Sequence, residues 1–362
     1  MPTYGVTRSW LPLVVTFVLT ACSGDSPGPS GPNNTGPTLE INGTKTAEVG
    51  QTVQLGVIAK DANGAPQAPG AVSWSSSDQT LISVGTDGVV TPLRIGSVII
   101  TATAGSASAT ATFTSTLSPY TFVFPAGVSA SEQQLIRDAI QDAHAFQKAA
   151  FNRSIQQATT VTGALSAQGC ASGGAAAFTG AGAVTFCLTN VGWTTHGVII
   201  KQKVVHHELF HVWQFETGWI SNPATAGSTW IIEGSAELVG FRGIEARNLL
   251  PFATALGCQV KESADFASKT PPGLPPLSQV EGRQAFQNTV GPLYTHSMLA
   301  MDRLVGSGSL KVLETYGLAV ATGAGWPTAF NGAFGKAPAA FYSEFYNYLD
   351  GLQVPASYQC RV

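Results

Sequence analysis

Between residues 38 and 118, apolar and polar positions alternate with a period of two. Val53, Leu55 and Val57 form one such run, Val98, Ile100 and Ala102 another, and an Ala/Thr repeat leads up to Phe113. Alternation of this kind places every second side chain on one face of a strand. Asp61-Ala62-Asn63-Gly64 and Asp87-Gly88 break the runs and read as turns. Several short strands so spaced predict a β-sandwich, with Trp74 as its core aromatic. From Tyr120 the period changes. Ser129-Ala130-Ser131-Glu132 reads as a helix-opening capping box, and Leu135, Ile136, Ala139, Ile140 and Ala143 follow at helical spacing. Residues 183–188 predict a strand, Val198 to Phe215 a strong helix, and Phe341 to Leu349 part of a last helix. A Pro-rich loop spans residues 271–276. The pattern as a whole predicts a multidomain chain, an all-β sandwich followed by an α+β, mainly helical region.

The first residues have their own signature. Arg8 precedes an apolar stretch from Leu11 to Ala21, too short to cross a bilayer and suited to a signal-peptide core. It ends in Leu19-Thr20-Ala21-Cys22, which resembles the lipobox of bacterial lipoproteins. The resemblance implies a signal peptide over residues 1–21, cleavage before Cys22 and acylation of its thiol, so that lipid chains anchor the protein to a membrane. Ser23 stands where an Asp would hint at inner-membrane retention, which favours the outer membrane. An ordinary secretory signal, with the protein secreted, is the alternative. Residues 22–37, rich in Pro, Gly, Ser and Asn, read as a flexible tether.

Residues 38–118 resemble a bacterial immunoglobulin-like domain of group 2. The resemblance rests on Val49-Gly50-Gln51-Thr52, Trp74-Ser75-Ser76-Ser77-Asp78, Asp87-Gly88-Val89-Val90-Thr91 and the run from Gly96 to Ala102. Such a domain has no inherent chemistry and implies a spacer or adhesive module. Its removal is expected to leave any chemistry downstream nearly unchanged.

Charge and cysteine content narrow the classes further. The chain has 362 residues, 11% of them charged, with a formal net charge of -3 and 18 Lys plus Arg. It lacks the basic excess of a nucleic-acid binder. Apart from Cys22, the cysteines are Cys170, Cys187, Cys258 and Cys360. An even number in an exported chain predicts disulfides, with three connectivities possible. Local pairing, Cys170 with Cys187 and Cys258 with Cys360, is the expectation.

Candidate chemistry sits in His207-Glu208-Leu209-Phe210-His211. On a helix, His207 and His211 share a face and can bind one Zn²⁺, while Glu208 can serve as general base toward water. Downstream, Trp230-Ile231-Ile232-Glu233-Gly234-Ser235-Ala236-Glu237 resembles the second helix of the gluzincin metallopeptidases. The resemblance implies a zincin-like metallopeptidase domain over residues 119–362, with one zinc per chain. It makes Glu233 the third ligand and Glu237 the carboxylate that fixes a ligating His; the two roles could be exchanged. Metzincins are excluded, because Gln214 and Thr217 stand where their motif needs Gly and His. His206 points about 100° away from His207 around the helix and is not a ligand. Gluzincins resembling the M1 aminopeptidases carry an oxyanion-stabilising Tyr on a later helix, which implies that role for Tyr294, with His296 the alternative donor. Aminopeptidases of that group also anchor the substrate amine with an acidic residue upstream of the zinc helix. No Asp or Glu lies between Asp142 and Glu208. The expected function is therefore a zinc endopeptidase of the bacterial cell envelope acting on a protein or peptide substrate. Glu216 and Glu237 are the other candidates for an amine anchor, and an inactive peptidase-like adhesin or scaffold is the competing reading.

Overall fold

The computed structural model describes residues 37–165, 170, 175–220, 228–269, 275–283 and 292–351. The expected signal peptide, Cys22, nearly all of the expected tether, most of the Pro-rich loop and Cys360 lie outside the described residues.

The N-terminal strands are β1 (Thr38–Asn42), β2 (Thr46–Glu48), β3 (Val53–Gln54), β4 (Gly56–Lys60), β5 (Pro66–Gln67), β6 (Ser73–Ser76), β7 (Ile82–Val84), β8 (Val89–Pro92), β9 (Gly96–Ala104) and β10 (Ala107–Thr116). They form three small sheets, ordered β1-β4-β5, β2-β10-β9-β6 and β3-β8-β7. Ile41, Leu55, Ile82, Val90, Val98, Ile100, Ala102 and Phe113 are buried together, so the period-two positions do face one core. Trp74 is only half-buried at the margin of that core; Phe113 is its fully buried aromatic. Asp61 Oδ1 accepts from the backbone N–H groups of Asn63 and Ala65 and closes the first turn.

A fourth sheet follows, built from β11 (Tyr120–Val123), β12 (Thr159–Ala164), β13 (Ala177–Gly180) and β14 (Ala183–Cys187) in the order β11-β12-β14-β13. All pairs are parallel except β13–β14. Between β11 and β12 runs α1 (Ala130–Phe151). Its opening differs from a full capping box. Ser129 Oγ accepts from Glu132 N, but the Glu132 carboxylate turns outward to Trp193 Nε1 and Lys201 Nζ. The short α2 (Val191–Thr194) leads into α3 (Val198–Glu216), α4 (Thr229–Ala246), α5 (Phe252–Lys269), α6 (Pro292–Val305), α7 (Lys311–Ala321), α8 (Trp326–Phe334) and α9 (Pro338–Asp350).

Helix α3 is the hub: every residue from Val205 to Gln214 is buried. Helix α4 lies against α3 on one side and α6 on the other. The spacing depends on glycine. A Cβ at Gly243 would stand 2.0 Å from His206 Nδ1, and one at Gly234 would stand 2.4 Å from Ser297 O. No side chain fits at either point.

The sandwich is docked on α1. Arg94 pairs with Asp138 at 2.9 Å, Gln134 Nε2 donates to Ile95 O at 3.0 Å, and Gln141 Nε2 donates to Leu93 O at 3.0 Å. Ile95 N donates back to Gln141 Oε1 at 3.2 Å. A freely swinging spacer would make none of these contacts. Side-chain amides that match backbone groups fix the segment Leu93–Gly96 on the helix face.

Candidate metal centre

His207, Glu208 and His211 come from the buried middle of α3, and Glu233 and Glu237 from α4 beside it. Buried polar groups need partners, and following each one outlines the centre. His211 Nδ1 lies 2.6 Å from Gln214 Oε1, while Gln214 Nε2 donates to Ile232 O at 3.2 Å. The amide is thereby oriented with its oxygen toward the imidazole, so His211 carries its proton on Nδ1 and presents the Nε2 lone pair. His207 Nδ1 lies 3.0 Å from Glu237 Oε1, which favours the same tautomer.

The two Nε2 atoms therefore face each other, 3.0 Å apart. Glu233 Oε2 lies 3.6 Å from His207 Nε2 and 3.3 Å from His211 Nε2. One ligand atom from each of these three residues can be chosen so that all lie within 4.8 Å of one another. Three acceptors converging with no donor between them repel unless a cation stands among them. A proton can serve. Burial opposes charge on His207, but its contacts with Glu233 and Glu237 outweigh burial and raise its pKa to about 10. Burial likewise opposes ionisation of Glu233, yet the imidazoles hold it well below the usual carboxylate range. Glu237 is held at about 2, against its burial, chiefly by the charge of Lys203 and then by His207. Two nitrogens and one carboxylate oxygen also form a donor set that suits Zn²⁺.

Glu208 follows His207 on α3, and its Oε2 accepts from Thr179 Oγ1 at 2.6 Å. Thr179 pairs with Val184, whose side chain is buried in the core, so the register of β13 turns the hydroxyl toward α3. Tyr294, in the first turn of α6, stands with its ring centroid 6.2 Å from that of His207. The negative charge of Glu233, then burial, raises its phenol well above the usual value, so the hydroxyl keeps its proton. His296 is buried on the same helix. His206 is turned away, against Phe146 and Gly243.

Cys170 and Cys187 form a disulfide, with Cα atoms 5.7 Å apart. Cys258 is disulfide-bonded as well, and Cys360, its expected partner, lies outside the described residues. Neither alternative amine anchor is available. The Glu216 carboxylate accepts from the backbone N–H groups of Gln156 and Gln157 and pairs with Arg153. Glu237 is held between Lys203 and His207. The 183–188 strand is no free edge either, since β14 is paired on both sides; the edge strands of this sheet among the described residues are β11 and β13, and β13 is the one beside α3. Thr179, Lys203 and Gln214 escaped the sequence reading. Lys203 and Gln214 had a signal in their helical spacing from His207 and His211. Thr179 had none, because it comes from another element.

The family of bacterial Ig-like domains (group 2) matches residues 38–115, and that segment is such a domain. No curated protein matches the chain in sequence. Among solved structures the chain is similar to the crystal structure of the S-layer protein rSbsC(31-844), at 17% identity and a TM-score of 0.19. That likeness spans 24% of this chain and only 16% of the S-layer protein chain.

Proposed function

We propose that residues 119–362 are a zinc-dependent peptidase domain of the gluzincin type, cutting within peptide chains. The chain would be held at the bacterial cell envelope through an acylated Cys22, with the outer membrane favoured. The carrying observation is the convergence of His207, His211 and Glu233 on one point, with Glu208 beside them on the same helix. His207, His211 and Glu233 would hold the zinc. When bound, the ion supplies Lewis-acid chemistry: it polarises the scissile carbonyl and lowers the pKa of water. Glu208 accepts the proton of the attacking water and delivers it to the leaving amine, which balances the hydrolysis. Thr179 holds one oxygen of Glu208 and leaves the other for the water. The Tyr294 phenol donates to the oxyanion that develops on the carbonyl.

Two observations among the described residues support internal cleavage: the engagement of nearby carboxylates and the strand edge beside Glu208. A free α-amine is a cation whose desolvation is costly without a paired carboxylate. Glu216 and Glu237, the two acidic residues considered for that task, are engaged elsewhere. Strand β13, next to Glu208, can pair with an extended substrate, which needs residues on both sides of the scissile bond. The test is one peptide with a free and with an acetylated N-terminus, products read by mass spectrometry, together with elemental analysis of the purified protein. One zinc per chain and internal cuts in both peptides are expected. Stepwise release of N-terminal residues, abolished by acetylation, would overturn the endopeptidase reading. Absence of both zinc and cleavage would leave the inactive adhesin or scaffold.

A further inference from the structure

We propose that Lys203 is a positioning residue of the metal centre, which pins the Glu237 carboxylate behind His207 and supplies the fixed positive charge of the site. This rests on the zinc reading above and adds to it a residue that touches neither metal nor substrate.

Lys203 lies one helical turn before His207 on α3, on the same face. Its Nζ stands 2.5 Å from the Glu237 carboxylate, and that carboxylate stands 3.0 Å from His207 Nδ1. The three groups form a continuous chain from an ammonium to the back of an imidazole. Both ends of the ion pair are buried, with side-chain exposures of 10% and 9%. A lysine with a route to water keeps its head in solvent; this one does not. Its surroundings are shaped for it. A Cβ at Gly240 would lie 3.0 Å from Lys203 O and 3.3 Å from its Cγ, so the glycine leaves room for the stem. Nζ lies 5.1 Å from the centroid of the Phe241 ring.

Charge balance gives the physical reason. Buried Glu208 and Glu237 and partly buried Glu233 bring three carboxylates around one centre. A divalent ion offsets two of those charges, and Lys203 offsets the third. Without it, Glu237 is a buried anion with no fixed counter-charge, free to turn away from His207 or toward the metal position. Groups that orient a metal-ligating His in this way typically alter metal affinity by roughly 10- to 100-fold.

The test is a double-mutant cycle on the full chain, using Lys203→Met, Glu237→Gln and both together. Zinc affinity is read by competition with a chromophoric chelator, and His-ligand geometry by the visible spectrum of the cobalt-loaded protein. Gln at 237 keeps an oxygen for His207 Nδ1 and removes the charge. Lys203→Met alone should weaken zinc binding by roughly 10- to 100-fold and shift the cobalt bands. On the Glu237→Gln background the same change should cost no affinity. A purely structural lysine would cost the same on both backgrounds, and that result overturns the proposal. So does unchanged zinc affinity in Lys203→Met, which would leave the zinc reading intact. A wild-type chain that binds no zinc removes both. Should Lys203→Met fail to fold, the double variant decides: folded and zinc-binding supports the proposal, unfolded overturns it.

Discussion

At the scale of the residue, the centre consists of polar groups that could not be buried singly. Each imidazole has an acceptor behind it, Gln214 for His211 and Glu237 for His207, and these set which nitrogen faces the other helix. Glu208 has Thr179 on one oxygen. In Glu208→Gln the shape is nearly kept, so the fold and zinc content should be unchanged. An amide cannot take up the water proton, and turnover of an internally quenched peptide should fall by roughly 10²- to 10⁴-fold. Activity within a few-fold of wild type would remove Glu208 from its role. Measuring zinc in the same preparation separates loss of the base from loss of the metal.

At the scale of the element, the centre depends on how closely α4 approaches α3. Gly243 lets the helices touch at His206, ten residues beyond Glu233. In Gly243→Ala the added methyl would need the buried His206 ring to move, and α3 has no slack there. Overpacking of this kind costs typically ~1–3 kcal/mol. Urea unfolding should register that loss, and zinc affinity should fall with it as α4 is pushed off α3. Gly332→Ala on α8 is the matched control. Its methyl would meet nothing within 4 Å, so helix propensity should leave stability unchanged or raised by ~1 kcal/mol. Equal behaviour of the two variants would show that α3 and α4 are not held at contact by Gly243.

At the scale of the whole molecule, the immunoglobulin-like domain and α1 share an interface. The Arg94–Asp138 pair is partly exposed and adds little, ~0.5 kcal/mol. The glutamine-to-backbone bonds matter more, at ~1 kcal/mol each. Gln134→Ala combined with Gln141→Ala removes three such bonds and should therefore lower stability by ~3 kcal/mol. For a chain of this size each kcal/mol corresponds to roughly 2–4 °C in Tm. Removing residues 38–118 should lower the Tm of the helical region further while sparing peptide turnover well below the transition, because no residue of the centre lies in that segment. A truncated protein with unchanged Tm would mean that the contacts with α1 contribute nothing.

Local pattern determined much of this molecule. Period-two alternation from Val53 to Phe113 marked the sandwich, because a strand with one buried face must alternate. The spacing of His207 and His211 marked the zinc candidate, because 3.6 residues per turn bring positions four apart onto one face. Glu233 and Glu237 are proposed not from spacing but from the resemblance of their Trp/Gly/Ala frame to the second gluzincin helix. What local pattern could not reach were contacts between elements distant in sequence. Trp74 yielded the centre of the sandwich core to Phe113, because depth in a core depends on which sheets close over a position. The outward turn of Glu132, the edge position of β13, the reach of Thr179 to Glu208 and the docking of Leu93–Gly96 on α1 all depend on the packing of separate segments. Lys203 illustrates the division most clearly. Its spacing from His207 places it on the same helix face, but only the approach of α4 buries it and gives it Glu237 as a partner.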